Sequence, residues 1–521
     1  MSDKIQKVAV LGAGVMGAQL SGHLANAGIP SFLFDISQDL SEQGKANLTS
    51  LKPAPLYKPK NIELITPCSY DDHIDKISEV DWVLEAVAEK LEIKHIVYKN
   101  LLPHLKDSAI ITSNTSGIPL EELISVLPEE VQSRFMITHF FNPPRYMRLL
   151  ELVRGTNTSD EVYNSMAEFG ETTLGKGIVH AKDTPNFIAN RIGIYGMMLT
   201  MKLAQEMGLT VEEVDKITGT IVGRPKSATF RTADVVGLDT MAHVAQTCYD
   251  LCEQDEERDI FQSPEILNKL IEEGRLGAKT KAGFYKKTEK KEILSLDLQT
   301  GEYNPQKKVR FDGFRLAKDH QNTGEKISAM AYSNDKAGKF FWEVLSRSLI
   351  YSANRIPEIC EGIMNVDNAM KWGFGWELGP FEVWDAIGLE RSVTKMQNEE
   401  KNIPEWIQNM ISEGKTHFYE ISDNSRKFYD IPSNNLQPVS SDNKSFDFQV
   451  LKSSGNLIKK HWSASLIDIG DGVINAEFHS VLQPTLNPID GSILQIINEG
   501  LDLLEAGTYK AMVIGHHGQN F

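Results

Sequence analysis

The sequence predicts an open, mainly parallel α/β sheet at the amino end, two related and mainly helical domains after it, and a short, incomplete α/β segment at the carboxyl end. Three observations carry this prediction. A glycine-rich turn joins an apolar strand to a helix just after residue 7, and strand-like and helix-like stretches alternate from there. Near residue 182 that alternation gives way to long stretches with Leu and Met at helical spacing. A segment between residues 214 and 239 is then echoed between residues 366 and 390.

At 521 residues the chain is too long for one hydrophobic core. A formal net charge of −17 argues against non-specific binding to nucleic acid or an anionic membrane surface. The four cysteines, Cys68, Cys248, Cys252 and Cys360, show neither a CxxC pair nor zinc-ligand spacing. Inert thiols in a reduced compartment are expected, and no metal. The opening MSDKIQK leaves no room for a signal-peptide core, and no apolar run is long enough to span a bilayer. A soluble, cytoplasmic protein is the expectation.

The first strand, Val8 to Leu11, ends at Gly12, Gly14 and Gly17 in GxGxxG spacing, and Ala18 to Ala27 continues as a helix. Gly12 permits the tight turn, Gly14 the approach of a pyrophosphate, and Gly17 close packing of helix on strand. A phosphate would meet the N–H groups and positive dipole of that helix start. Ser31 to Phe34 reads as a second strand with Asp35 at its end. A carboxylate there accepts hydrogen bonds from ribose hydroxyls and repels a 2′-phosphate, which favours NAD over NADP.

A loop with three prolines, Leu51 to Lys60, offers Lys52, Lys58 and Lys60 to a ligand's phosphates. Strands at Trp82–Val87 and Ala109–Thr112 flank a helix from Glu89 to Leu102, and Ser116 lies at the carboxyl end of the second. Phe135–Phe141 and Leu149–Val153 are strands joined too closely for a parallel crossover, so they pair antiparallel. His139 and Glu151 can therefore face each other. A carboxylate beside an imidazole fixes its tautomer and stabilises its cation, as a general base near neutral pH requires.

From Lys182 the chain turns helical, with a Met stripe read as core packing. The turn Leu276–Tyr285, with Lys279 and its glycines, suggests a return to a ligand. In the repeat, Val214-Asp215 through Phe230 matches Val366-Asp367 through Phe381, and the second copy carries Trp342 where the first has Asn190. The second copy therefore reads as a packing domain that buttresses the first. Strand, turn and strand over Trp462–Phe478, a helix over Gly491–Ala506 and a strand over Tyr509–Gly515 close the chain.

In GAGVMG with Asp35, VLEAVAE, SNTSG, THFFNPP with LLELV, KDTPNFIANR and KTKAGFY, the chain resembles the 3-hydroxyacyl-CoA dehydrogenase family. It is most similar to the bacterial multidomain type, with a duplicated C-terminal domain followed by a crotonase-like module that is truncated here after HHGQNF. The resemblance implies a Rossmann-type domain over 1–184 and helical copies over 185–286 and 331–425. It leaves linkers over 287–330 and 426–460 and an incomplete crotonase-like segment over 461–521. It further implies NAD-dependent oxidation of a (3S)-3-hydroxyacyl-CoA in fatty-acid β-oxidation, an acyl-CoA substrate, and a homodimer or a thiolase as partner.

By the same resemblance His139 is the general base and Glu151 its orienting partner. Ser116 contacts the substrate's hydroxyl oxygen, and Asn190 holds that oxygen or the histidine. Glu89, Lys94, Asn142 and Lys279 fall where the family contacts NAD. The catalytic carboxylates of a crotonase are missing, so no hydratase activity is expected. Two other readings stand beside this one: an NAD-dependent dehydrogenase of a non-CoA hydroxy acid, and a non-catalytic NAD-binding assembly subunit.

Overall fold

The computed structural model describes residues 5–422, 425–439, 446–481 and 486–516. The chain divides into two compact units, Met1–Thr416 and His417–Phe521.

The first unit opens on an eight-stranded sheet: β1 (Val8–Leu11), β2 (Ser31–Asp35), β3 (Ile65–Ser69), β4 (Trp82–Glu85), β5 (Ile110–Ser113), β6 (Phe135–Phe140), β7 (Leu149–Arg154) and β8 (Gly177–Ala181). Their spatial order is β3-β2-β1-β4-β5-β6-β7-β8. Every neighbouring pair is parallel except β6 and β7, which run antiparallel as their short connection requires. The chain winds away from β1 toward one edge and from β4 toward the other. The crevice beyond Leu11 and Glu85 is therefore the switch point at which such sheets bind ligands. Helix α1 (Val15–Asn26) begins there. Val8, Val10, Leu84, Met136 and Leu152 are wholly buried in the sheet's core.

The sequence pattern predicts neither β3 nor β8, and both are edge strands. Pro67 in β3 removes a ladder donor that an edge can spare, and β8 mixes buried with exposed residues. Neither shows the continuous apolar run of a central parallel strand.

Beyond β8, the helices α2 (Ala189–Glu206) and α3 (Lys336–Asn354) lie against each other. Tyr195 stacks on Tyr351 with ring centroids 3.8 Å apart. The wholly buried Arg191 donates to the Tyr351 hydroxyl and pairs with Asp255, each at 2.6 Å, as a buried charge must. Met197, Met198 and Met201 are buried in packing, and all four cysteines are buried and free.

Two stretches expected as linkers are folded. Residues 287–330 contain strands Ile293–Leu296 and Tyr303–Pro305, which extend a small sheet from Tyr285–Lys287, the helix Asp312–Lys318 and most of the helix Thr323–Ala331. Residues 426–460 contain most of the strand Ser425–Asp430 as well as Asn435–Pro438, Leu457–Lys460 and the helix Phe448–Ser453. Short polar strands carry no long apolar run, which is why their composition reads as linker. In the second unit Leu457–Lys460, Ala464–Asp468, Val473–Phe478 and Ala511–Ile514 form one sheet in that order. Helix Gly491–Glu505 packs Ile493 and Ile496 onto its core. The end of HHGQNF lies outside the described residues.

Candidate active site

The glycine loop has the geometry a dinucleotide needs. Gly12 sits at φ 97°, and a Cβ there would lie 2.6 Å from the Ala86 carbonyl oxygen. A Cβ on Gly17 would lie 1.8 Å from the Gly12 carbonyl oxygen, so only glycine lets α1 pack this closely. Gly14 differs, with nothing within 4 Å of its Cβ position. That open face, at a helix start with no side-chain cap and no acidic residue in its first turn, suits a phosphate. The loop therefore fits a pyrophosphate on chemical grounds.

Asp35 holds this loop. One carboxylate oxygen accepts from Ala13 N–H at 2.7 Å and the other from Ile36 N–H at 2.8 Å, leaving lone pairs for ribose hydroxyls. Asn142 accepts from Gln19 Nε2 of α1 at 2.9 Å, which ties the loop after β6 to the nucleotide helix. Lys52 and Lys58 are exposed. Their loop is docked by Arg145, which donates to the Leu56 carbonyl at 2.9 Å and lies over the Tyr57 ring at 4.5 Å.

On β6 and β7, His139 and Glu151 are direct register partners. Nδ1 of His139 lies 2.6 Å from Oε2 of Glu151, which is wholly buried. A proton on Nδ1 shared with that carboxylate leaves Nε2 as the acceptor. The other oxygen of Glu151 accepts from the N–H groups of Ile188 and Ala189 at 3.1 and 2.9 Å. One carboxylate thus fixes both the imidazole and the start of α2. Asn190 is in that first turn, half-buried, and among the described residues no protein group hydrogen-bonds its side chain. The imidazole is 5 % exposed, with the Phe141 and Phe187 rings at 4.6 and 5.5 Å.

Ser116 is held by Glu89, whose Oε1 accepts from Ser116 N–H at 2.8 Å and from Thr115 Oγ1 at 2.5 Å. Glu89 is held in turn by Lys94 at 3.0 Å. Lys94 is almost wholly buried and donates to both oxygens of Glu85, at 2.8 and 2.9 Å. Its ammonium therefore meets carboxylates of both Glu85 and Glu89, and through Glu89 it supports Ser116. Burial alone would lower the Lys94 pKa, but attraction to Glu85 and then Glu89 outweighs it and holds the ammonium above its ordinary range. Burial would likewise raise Glu89, and Lys94 with the donors from Thr115 and Ser116 keeps it low.

Glu85, which sequence reasoning passed over, anchors this network by also accepting from Tyr98 and Ser113 at 2.9 and 2.6 Å. Its only signal was a carboxylate closing the otherwise apolar run Trp82-Val-Leu-Glu85.

Lys279 is not brought to this network by any contact it makes. It is exposed and pairs with Asp239 at 2.6 Å. The glycines around it make room for Asp234: a Cβ on Gly277 or Gly283 would fall 2.3 or 2.0 Å from Asp234 atoms. The Asp234 carboxylate accepts from Phe284 and Tyr285 N–H, each at 2.8 Å. Among the described residues no group of three or more His, Cys, Asp or Glu side chains could hold a metal.

Comparison with known proteins agrees with this geometry. The NAD-binding domain of the 3-hydroxyacyl-CoA dehydrogenase family matches residues 7–184, and that family's C-terminal domain matches residues 187–287. A probable 3-hydroxyacyl-CoA dehydrogenase of Bacillus subtilis is 43 % identical over the whole chain, which covers 68 % of that protein. A probable 3-hydroxyacyl-CoA dehydrogenase of Deinococcus radiodurans is 44 % identical over 55 % of this chain and 84 % of its own length. The crystal structure of 3-hydroxybutyryl-CoA dehydrogenase from Escherichia coli has the same fold over 79 % of this chain and 99 % of its own, with a TM-score of 0.61 at 20 % identity. A dinucleotide loop at the sheet's switch point, a buried imidazole–carboxylate pair and these matches together show that the chain belongs to the 3-hydroxyacyl-CoA dehydrogenase family.

Proposed function

We propose that this NAD-dependent oxidoreductase converts a (3S)-3-hydroxyacyl-CoA to the 3-ketoacyl-CoA in fatty-acid oxidation, with His139 and Glu151 as its base dyad. The observation that carries the reading is the 2.6 Å contact between register partners whose carboxylate is also bonded to the start of α2. His139 Nε2 takes the proton of the substrate's C3 hydroxyl, and Glu151 stabilises the imidazolium that forms. Ser116 Oγ and the Asn190 amide hold the reacting oxygen. NAD, when bound, accepts the hydride from C3. Gly12, Gly14, Gly17, Asp35, Glu89, Lys94, Asn142 and Lys279 are the proposed cofactor contacts, and Lys52 and Lys58 the proposed contacts for the phosphates of CoA.

The test is NADH oxidation with acetoacetyl-CoA. His139→Gln should lower turnover on the order of 10²- to 10⁴-fold with NADH binding retained. Unchanged turnover would remove His139 from the mechanism, and equal activity on free acetoacetate would replace CoA with a simpler hydroxy acid.

We further propose that the helical region is a duplication, 185–286 and 331–425. Several matched contacts support it. Asp215 accepts from Phe230 N–H at 2.7 Å, and Asp367 from Phe381 N–H at 2.8 Å. Eight residues past each aspartate, Gly223 and Gly375 take φ 68° and 67°. Nine residues past, Arg224 lies over the Trp376 ring at 4.1 Å. Ten residues past, Glu377 N–H donates to Gly223 O at 2.8 Å, while Pro225 lies 3.2 Å from the Cβ position of Gly375. Reciprocal contacts between equivalent positions are what a two-fold related pair produces.

Residues 461–521 are, on this reading, a crotonase-like segment. No helix among the described residues is long and apolar enough to cross a membrane. A cytoplasmic enzyme, as a homodimer or beside a thiolase, is the proposed setting, read by sedimentation alone and with thiolase.

A further inference from the structure

The helix Ile363–Phe374 lies outside the residues that the family's two domains match. Its last three residues, Trp372, Gly373 and Phe374, are seated in notches that only glycine or a close backbone can provide. A Cβ on Gly177, the first residue of β8, would fall 2.3 Å from the Trp372 ring, and Arg148 lies over the same ring at 4.4 Å. A Cβ on Gly193 of α2 would fall 2.0 Å from the Phe374 ring. The Cβ position of Gly373 is 2.6 Å from Leu149, 3.4 Å from Ala189 and 3.4 Å from Phe141.

Each of these neighbours belongs to the dyad's own support. Leu149 is on β7 two residues before Glu151 and pairs in register with Gly177. Ala189 donates its N–H to Glu151 at 2.9 Å. Phe141 is the ring nearest His139, at 4.6 Å. Three consecutive residues therefore press on both strands, the helix start and the aromatic wall that fix the imidazole.

We infer that Trp372-Gly373-Phe374 is a positioning wedge for the base: the second helical region is part of the working active site. Trp372 and Phe374 touch no reacting atom on this reading. They act by keeping β7, β8 and the first turns of α2 in the one arrangement that satisfies both oxygens of Glu151. Close-packed interiors transmit such constraints, because a vacated ring leaves a void that neighbours refill by shifting. A shift of about 1 Å at a reacting group costs on the order of 100-fold in rate.

This inference rests on His139 acting as the base, and one set of full-length variants separates the two. Trp372→Ala and Phe374→Ala are measured for acetoacetyl-CoA reduction across pH, for NADH binding by fluorescence, and for folded content by circular dichroism. Trp372→Phe and Phe374→Tyr serve as conservative controls. The expected result is a kcat lower by on the order of 10- to 100-fold per folded enzyme. It comes with an altered basic or acidic limb of the pH–kcat profile, NADH affinity within about twofold, and substantial recovery in the conservative pair. Variants that melt earlier but keep kcat and the pH profile of the parent would overturn the wedge, whatever His139→Gln shows. If either Ala variant does not fold, Trp372→Leu or Phe374→Leu takes its place under the same criteria: parental kcat with a parental pH profile overturns the proposal, and a lowered kcat with a shifted limb upholds it.

Discussion

At the scale of single residues, the site depends on side chains that each serve two partners. Glu151 satisfies an imidazole with one oxygen and a helix start with the other, and Glu89 joins Lys94 to the Ser116 backbone. His23 shows the cost of burial without such a partner charge. It sits within α1, and burial first, then the nearby Lys176 cation, push its pKa down from 6.5 to about 3. The folded chain therefore keeps His23 neutral while the unfolded chain protonates it below pH 6.5. Its contribution to stability is complete above that pH and is lost progressively as pH falls toward 3. By pH 5 the loss is about 2 kcal/mol. His23→Leu should flatten the fall in urea midpoint between pH 7 and 5, and an unchanged slope would assign the acid sensitivity elsewhere.

Between strand β1 and helix α1 the glycines divide labour in a way substitution can separate. Gly17 meets the Gly12 carbonyl and Gly14 meets open space. Gly17→Ala forces helix and strand apart, and overpacking of this kind costs about 1–3 kcal/mol. Gly14→Ala has an ordinary φ of −66° and no steric conflict within the protein, so its melting temperature should stay near the parent's while NADH binding weakens by about tenfold or more. Thermal melts beside NADH titrations check both, and a Gly14→Ala variant with parental affinity would separate that glycine from the phosphate site. Elements also show where sequence patterning stops being legible. The apolar runs of β1, β4 and β5 announce central parallel strands, whereas β3, with Pro67, and the half-exposed β8 gain their conformation from the sheet edge they join.

Across the molecule, the unit Met1–Thr416 joins the sheet and both helical regions into one compact body. Lys182 N–H donates to Ile359 O and Asn365 accepts from His180 N–H, so chain segments some 180 residues apart complete one surface. The unit His417–Phe521 carries a four-stranded sheet under one long helix. Purified protein should oxidise NADH with acetoacetyl-CoA, and no oxidation above a heat-killed control would refute this.

The sequence by itself determined the parallel sheet, the glycine loop and the facing of His139 and Glu151. In each case the decisive partners are near neighbours in the chain or are forced together by a short connection. The likeness between residues 214–239 and 366–390 is legible there too, because it is a property of order alone. Only the tertiary structure decided that Lys94 is spent on Glu85 and Glu89, that the glycines about Lys279 make room for Asp234, and that Trp372 and Phe374 press on the strands and helix behind the dyad. Those contacts join residues whose separation no periodicity encodes, and close packing selects them only once the elements have met.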